Sequence, residues 1–319
     1  MPFINKFYLQ SQLNKFGVNF SQIKHSLKPI DMLRKNLFLL LFIFSAMLSC
    51  KKEESVIDAV VAASTQLNAT YGTQPLQNMD VYLPAGRSVA STKVMILIHG
   101  GAWSVGDKSE LTGFVDSIKK RLPDYAIFNI NYRLAAFPNN LFPTQEQDVK
   151  AAIEYIFSKK NDYLIGDKFV LTGASAGAHL SLLHAYKYNS PVKIKTVIDF
   201  FGPTDITDLY NNPGVVPRQN IAAIVGATPA SNAALYQQSS PVTFVSSATA
   251  CPTLILQGSE DPLVNAARQS AVLRDKLQIA GVPVQYVLYA GKGHGDDWGP
   301  DTFFDAFNKM QAFVALYNP

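Results

Sequence analysis

Short apolar runs, rich in β-branched and aromatic residues, alternate with longer amphipathic segments from residue 78 to the end of the chain. Several of the runs are apolar at nearly every position, which is typical of strands that are buried on both faces of a sheet. The strands predicted in this way are residues 79–83, 93–98, 126–131, 168–171, 196–200, 253–256 and 284–288.

The longer segments predict helices. Thr144 and Gln147 match a capping box, and apolar residues follow at helical spacing over residues 149–156. Residues 178–188, 268–280 and 302–317 also have a helical pattern.

The alternation of strands with helices predicts an α/β fold, a mostly parallel, twisted sheet with helices on both faces. A single domain is expected over residues 78–319, with a small cap insertion at about 206–250, where the alternation stops and Asn, Pro, Ala and Ser accumulate. Residues 50–77 are expected to be a tether and an irregular lead-in.

Composition narrows the class of protein without changing this picture. Of the 319 residues, 48% are hydrophobic and 16% charged, as in a globular protein, which excludes wholesale disorder. Two cysteines exclude a disulfide scaffold and a four-thiolate zinc site. Cys251 precedes a predicted strand and is expected to be a small buried hydrophobic residue.

The net charge of +4 is confined to the N-terminal part of the chain. Residues 1–49 contain six basic residues and one acidic residue, whereas the remainder has a slight acidic excess. The basic balance therefore gives no reason to expect a nucleic-acid partner.

The N-terminal segment has the organisation of a secretion signal. A basic start at Met32 is followed by an uncharged apolar stretch, residues 37–48, which is too short for a comfortable membrane span. The alternative is a buried core helix. Residues 47–50 resemble a bacterial lipobox, which implies cleavage before Cys50 and lipidation of its thiol. Residues 1–49 are then an upstream stretch and leader, with translation expected to start at Met32. The expected product is an exported lipoprotein, with Lys51 favouring the outer membrane.

A candidate nucleophile lies in Gly173-Ala174-Ser175-Ala176-Gly177, a G-x-S-x-G sequence. A predicted strand precedes it and a predicted helix follows it, which is the context of a nucleophile elbow. The following helix N-terminus places backbone N–H groups near Ser175, where they favour developing negative charge.

A serine hydroxyl needs a base, and the base needs an orienting carboxylate. Of the five histidines, His294 follows a predicted strand in a glycine-rich loop and is the best candidate for the base. Asp261 also follows a strand, with Glu260 and Asp205 as rivals. The order Ser175, Asp261, His294 is the order expected for this fold.

The loop after residues 93–98 reads His99-Gly-Gly-Ala-Trp103. Its flexible backbone could direct amides to one point, as an oxyanion hole requires, and the alternative is a plain glycine turn.

With these motifs the sequence resembles the α/β-hydrolase fold, and within it the hormone-sensitive-lipase-like carboxylesterases. It is most similar to bacterial acetyl and feruloyl (xylan) esterases. The resemblance implies that Ser175 is the nucleophile, His294 the general base and Asp261 its orienting partner.

The resemblance also assigns the oxyanion hole to the amides of Gly101, Ala102 and Ala176, with Gly100 shaping the turn. Trp103 is expected to wall the substrate pocket. Two positions depart from the commonest pattern of the family, Ala102 and Ala174.

The leading hypothesis is a serine carboxylic-ester hydrolase that acts through an acyl-enzyme on small or carbohydrate-linked acyl esters. No metal or organic cofactor is implied. A formamidase or peptidase with the same triad is the second hypothesis, and a non-catalytic lipid-anchored binding protein is the third.

Overall fold

Eight strands form one sheet in the computed structural model, which describes residues 60–319. The order across the sheet is β1-β2-β4-β3-β5-β6-β7-β8. Strand β2 runs antiparallel to both of its neighbours, and the pairs from β4 to β8 are parallel. The strands are β1 (Ser64–Thr70), β2 (Asn78–Leu83), β3 (Lys93–Ile98), β4 (Tyr125–Ile130), β5 (Phe169–Ala174), β6 (Thr196–Phe200), β7 (Thr253–Gly258) and β8 (Val284–Tyr289).

Helices follow most of the strands. They are α1 (Thr112–Arg121), α2 (Thr144–Ser158), α3 (Lys160–Tyr163), α4 (Ala176–Lys187), α5 (Ile206–Asn211), α6 (Arg218–Val225), α7 (Ala233–Gln238), α8 (Ser270–Ile279) and α9 (Gly299–Tyr317). Short 3₁₀ helices lie at Lys108–Leu111 and Pro241–Phe244.

The sheet separates two hydrophobic cores, because successive side chains of a strand point to opposite faces. In β3, Ile96 and Ile98 belong to the core that includes α2, α4 and α8, whereas Met95 and Leu97 belong to the core that includes α1 and α9. Helices therefore cover both faces, and the predicted α/β architecture is confirmed.

Two local predictions were wrong. Strand β1 lies within the segment that was expected to be irregular, and only Ala69 of its seven residues is buried. An edge strand exposed at almost every position lacks the apolar alternation that identifies strands. The capping box also does not form, because Thr144 is the first residue of α2 and Pro143 takes the cap position without a side-chain hydrogen bond.

The predicted insertion connects β6 to β7 and contains α5, α6 and α7. It packs against the loop before α2, where the Phe142 amide donates to the Ile224 carbonyl oxygen at 3.1 Å. The predicted helices at 268–280 and 302–317 correspond to α8 and α9.

The predictions for the leader, for a start at Met32 and for Cys50 fall outside the described residues. Within residues 60–319, none of the helices has the length and apolarity needed to cross a bilayer. Cys251 is buried as predicted, and burial raises the pKa of its thiol to about 12.

Candidate active site

Ser175 occupies the sharp turn between β5 and α4. Its backbone has φ +53° and ψ −119°, a conformation that non-glycine residues rarely adopt. The Ser175 amide donates to the Phe200 carbonyl oxygen at 2.8 Å, which ties the turn to the neighbouring strand β6. The flanking Gly177 has no room for a side chain, since a Cβ there would lie 2.0 Å from the Ile98 carbonyl oxygen. The small residues of the motif are therefore required by close backbone packing.

His294 and Asp261 lie beside this serine. The Nε2 atom of His294 is 2.8 Å from the Ser175 hydroxyl, and its Nδ1 atom is 2.7 Å from Oδ2 of Asp261. A carboxylate only accepts hydrogen bonds, so Nδ1 carries the proton and Nε2 is left to accept from the serine hydroxyl. The structure thus brings together the three residues predicted from loops that are distant in sequence.

The Asp261 carboxylate has donors on both oxygens. Its Oδ1 accepts from the amides of Leu263 at 2.9 Å and Val264 at 2.8 Å, and its Oδ2 accepts from the side-chain amide of Gln257 at 2.8 Å as well as from His294. The Asp261 side chain is fully buried, whereas the His294 side chain is 13% exposed. These donors fix the orientation of a carboxyl group whose side chain has no exposed surface.

The two rival carboxylates have other positions. Asp205 caps α5, where its side chain accepts from the Asp208 amide at 2.9 Å. Glu260 is exposed. Among the carboxylates of the described residues, only that of Asp261 hydrogen-bonds to the His294 ring.

Two residues that support this constellation were missed by the sequence analysis. The Phe201 ring lies 4.8 Å from the His294 ring, and Gln257 contacts the carboxylate of Asp261. The only sequence signal for Gln257 was a polar residue at the end of a buried strand. Phe201 has φ +47°, which the sequence did not indicate.

Trp298 and Asp297 stabilise the loop that carries His294. The Trp298 indole donates to the Gly293 carbonyl oxygen at 3.0 Å, and both carboxylate oxygens of Asp297 lie 2.9 Å from the Gly293 amide. Trp298 also packs against Phe201, at 5.1 Å between ring centroids. These contacts of Trp298 and Asp297 fix the position of Gly293, the residue before His294.

The predicted oxyanion residues lie next to the nucleophile. A Cβ added to Gly100 would lie 3.5 Å from the Ser175 Cβ. In the described part of the chain, the amides of Gly101 and Ala102 have no hydrogen-bond acceptor. Ala176 is the first residue of α4, and the first amides of a helix have no intrahelical acceptor. These amides can therefore donate to an incoming oxyanion.

Trp103 is largely buried, and its indole N–H donates to Nδ1 of His179 at 3.1 Å. A role for Trp103 in walling the pocket stays a prediction. His179 and His184 are buried on α4, and burial lowers their pKa values to about 4 and about 3. His99 is buried against Tyr132, with its ring stacked at 4.3 Å. Of the histidines in residues 60–319, only His294 has a ring nitrogen within hydrogen-bond distance of the Ser175 hydroxyl.

The same residues, 60–319, contain no group of three or more His, Cys, Asp or Glu side chains arranged to hold a metal ion. Around Ser175 lie a hydroxyl, an imidazole within hydrogen-bond distance of it and backbone amides without acceptors, the three kinds of group that serine acyl transfer uses.

Comparison with known proteins gives a matching family and relatives that are named as ester hydrolases. The family model designated BD-FAE matches residues 79–277. Probable carboxylic ester hydrolase LipM of Mycobacterium tuberculosis is 30% identical over 219 residues, which is 64% of this chain and 49% of that protein. The chain spans about half the length of the first curated relatives that it matches.

Many solved structures have a similar fold, and two of them serve as examples. A truncated carbohydrate esterase from gut microbiota is 24% identical, with a TM-score of 0.67 over 80% of this chain and 98% of that one. A bifunctional GH43-CE protein of Bacteroides eggerthii is 25% identical, with a TM-score of 0.69 over 80% of this chain and 35% of that one. These likenesses confirm the α/β-hydrolase fold.

Proposed function

We propose that this chain, which belongs to the BD-FAE family, is a serine carboxylic-ester hydrolase. The observation that carries the proposal is the chain of hydrogen bonds from the Ser175 hydroxyl through His294 to Asp261. Ester hydrolase is also the activity in the names of several relatives.

In the proposed reaction, the Ser175 oxygen attacks the ester carbonyl carbon while Nε2 of His294 takes the hydroxyl proton. The amides of Gly101, Ala102 and Ala176 stabilise the resulting oxyanion. His294 then gives the proton to the departing alcohol, which leaves an acyl-enzyme. Water, deprotonated by the same imidazole, releases the carboxylic acid and restores the serine. Asp261 keeps the Nδ1 proton in place throughout.

The substrates we propose are small or carbohydrate-linked acyl esters. The support is the likeness to the gut carbohydrate esterase and to the bifunctional GH43-CE protein. A panel of acetylated xylan, feruloyl esters and p-nitrophenyl esters of increasing chain length tests this assignment. We expect the highest kcat/KM on acetyl or feruloyl esters, and a preference for long acyl chains would contradict it.

Ser175→Ala tests the proposed nucleophile. We expect hydrolysis of p-nitrophenyl acetate to fall by at least about 10³-fold, because the attacking oxygen is removed. A fluorophosphonate probe should label the wild-type chain at Ser175 and leave the variant unlabelled. Ser158→Ala, a serine at the exposed end of α2, is the control and should keep both activity and labelling. Undiminished turnover in Ser175→Ala would show that the wrong nucleophile was named.

The same triad could also cleave amides, as a formamidase or a peptidase does. Arylformamide and proline-peptide substrates, measured beside p-nitrophenyl acetate, test this alternative. A kcat/KM on either amide above that on the esters would replace the esterase proposal.

We also propose that the mature protein begins at Cys50 and is anchored by lipid in the outer membrane of a bacterium. The support is the lipobox-like sequence that ends at this cysteine, after a basic start and an apolar stretch. Intact mass of the native protein should show a chain that starts at Cys50 and carries acyl groups. Cys50→Ala should abolish lipidation, and an unlipidated wild-type N-terminus would refute the proposal.

A further inference from the structure

The turn after β3 has a positive φ at three consecutive residues. Gly101, Ala102 and Trp103 have φ values of +92°, +47° and +59°. Two of the three carry side chains, for which the left-handed region is unfavourable, and such conformations persist only where surrounding contacts hold them. Contacts with the rest of the fold must therefore stabilise the turn that carries two of the proposed oxyanion amides.

One anchor lies at the entrance to the turn. The buried Tyr132 hydroxyl lies 2.9 Å from the Gly100 carbonyl oxygen and 3.1 Å from the His99 carbonyl oxygen. The Tyr132 ring also stacks on the His99 imidazole, at 4.3 Å and with 8° between the ring planes. Both carbonyl groups that precede the turn thus contact one phenol hydroxyl, and the Gly100 carbonyl oxygen also lies 2.9 Å from Nδ1 of His99.

This anchor also orients the first oxyanion amide. In a trans peptide the carbonyl oxygen and the N–H point in opposite directions. Fixing the Gly100 carbonyl oxygen on Tyr132 therefore directs the Gly101 N–H away from Tyr132, where it meets no acceptor within the described residues. Rotation of this peptide would remove the amide from the oxyanion hole.

A second anchor lies at the exit from the turn. The Trp103 indole N–H donates to Nδ1 of His179 at 3.1 Å, and Nε2 of His179 lies 2.7 Å from the Ser239 carbonyl oxygen. An indole only donates, so Nδ1 accepts and the proton of His179 lies on Nε2, from which it is donated to Ser239. His179 belongs to α4, the helix that follows the nucleophile, and Ser239 to the insertion. The end of the turn at Trp103 is therefore connected to helix α4 and to the insertion.

We propose that Tyr132 and His179 are positioning residues that clamp the two ends of this turn and keep the amides of Gly101 and Ala102 aligned for the oxyanion. The inference rests on the proposed ester hydrolysis, because it concerns the oxyanion of that reaction. Both side chains are fully buried, so neither is accessible to substrate, and neither contacts the His294 ring or the Ser175 hydroxyl in the described residues.

Tyr132→Phe removes the hydroxyl contacts at the entrance to the turn, Trp103→Phe removes the hydrogen bond to His179 at its exit, and both retain an aromatic ring in the core. We expect each to lower kcat for p-nitrophenyl acetate by about 10-fold to 100-fold, with KM changed less than about 2-fold, since the hole acts mainly in the transition state. Inhibition by trifluoroacetophenone, which forms an anionic adduct with an active-site serine, should weaken by the same factor as kcat.

Tyr125→Phe is the matched control. The Tyr125 hydroxyl is also buried and hydrogen-bonded, but its partner is Asn318 at the end of the chain. The control should lose a similar amount of thermal stability and keep kcat and the trifluoroacetophenone affinity of the wild type. A loss of kcat in the control equal to that in Tyr132→Phe would show only general destabilisation and would overturn the inference.

The pH profile separates a displaced oxyanion turn from a damaged triad. The acid limb of kcat/KM reports the catalytic base, so it should keep its midpoint in Tyr132→Phe and Trp103→Phe. A shifted acid limb, or an unchanged affinity for trifluoroacetophenone, would overturn the inference. Fluorophosphonate labelling of wild-type Ser175 distinguishes this failure from failure of the proposed function. If the wild type is labelled and both phenylalanine variants keep full kcat, only the clamp is wrong, whereas an unlabelled wild type refutes both.

Discussion

At the scale of single residues, the site around Ser175 depends on which atom carries each proton. Asp261 fixes the Nδ1 proton of His294, and this leaves Nε2 facing the serine hydroxyl as an acceptor. The carboxylate is itself oriented by two backbone amides on the oxygen that does not contact the imidazole. A change of one atom in this carboxylate therefore changes the tautomer of the base.

Asp261→Asn tests this dependence. Oδ1 would still accept from the amides of Leu263 and Val264, so the new NH₂ group would face Nδ1 of His294. Nδ1 would then have to accept, and the proton would move to Nε2, where it prevents general-base action. We expect kcat for p-nitrophenyl acetate to fall by about 10⁴-fold with the fold retained. Glu260→Gln, on the exposed neighbouring residue, should keep full activity, and a loss of less than about 10-fold in Asp261→Asn would refute this role.

At the scale of elements, the junction of β5 and α4 determines where Ser175, the proposed nucleophile, lies. Gly177 packs against the backbone of β3, so the strand that leads to the oxyanion turn and the helix that follows Ser175 are in direct contact. This contact holds Ser175 beside the turn after β3, which carries the amides of Gly101 and Ala102, in the absence of substrate.

Gly177→Ala tests that contact. Its Cβ would lie 2.0 Å from the Ile98 carbonyl oxygen, and a backbone atom cannot move aside as a flexible side chain can. We expect the free energy of unfolding, measured with urea, to fall by about 2 kcal/mol or more, together with activity. Gly113→Ala, at an exposed position of α1 where a Cβ meets no atom within 4 Å, is the control. It should leave stability unchanged or raise it, and equal effects of the two substitutions would contradict the packing argument.

Helix α4 also contains a buried histidine without a hydrogen-bond partner on either ring nitrogen within the described chain. Burial lowers the pKa of His184 to about 3, with the charge of Lys150 acting in the same direction, whereas the unfolded chain has a value near 6.5. Between these values the unfolded state binds a proton that the folded state does not. The stability contributed by neutral His184 is thus present above pH 6.5 and is lost as the pH falls toward 3.

His184→Leu should remove this contribution. We expect the free energy of unfolding of the variant to fall less steeply between pH 6.5 and pH 4.5 than that of the wild type, by about 1.4 kcal/mol for each pH unit. Urea denaturation at several pH values measures the two slopes, and parallel slopes would refute the assignment.

At the scale of the whole molecule, the stability also depends on the buried carboxyl group of Asp199, whose effect on the pH dependence of stability is opposite to that of His184. Asp199 lies in β6, and burial raises its pKa from 3.8 to about 7 although its Oδ1 accepts from the Gly202 amide at 2.7 Å. Between these values the folded state holds a proton that the unfolded state has lost. Its contribution to stability therefore falls as the pH rises from about 4 to about 7.

Asp199→Asn keeps the shape of the side chain and cannot ionise. We expect the wild type to lose stability relative to this variant as the pH rises from 5 to 8, in urea denaturation of both proteins under identical conditions. Asp124→Asn, which removes a carboxyl group at the surface, should leave the difference from the wild type independent of pH over this range. A constant difference for Asp199→Asn would show that the buried carboxyl group is not responsible.

The sequence alone predicted the architecture well where burial produces a pattern. The strands at the centre of the sheet are apolar because both faces are covered, and the segments between them have helical periodicity because one face packs on the sheet. Strand β1 escaped because an exposed edge strand needs no apolar alternation. The start of α2 was misplaced because Pro143 takes the cap position that Thr144 was expected to fill.

For the site, the sequence could nominate Ser175, because an elbow requires small residues at fixed spacing around its nucleophile. His294 was reached by elimination, and for Asp261 the sequence left two rivals. Only the tertiary structure decided among the carboxylates, since hydrogen bonding between loops 33 residues apart in sequence depends on how the strands are ordered in the sheet. It also revealed the supports of the site, Gln257 and Phe201 among them. Their roles come from contacts made across the fold, and such contacts leave no local pattern in the chain.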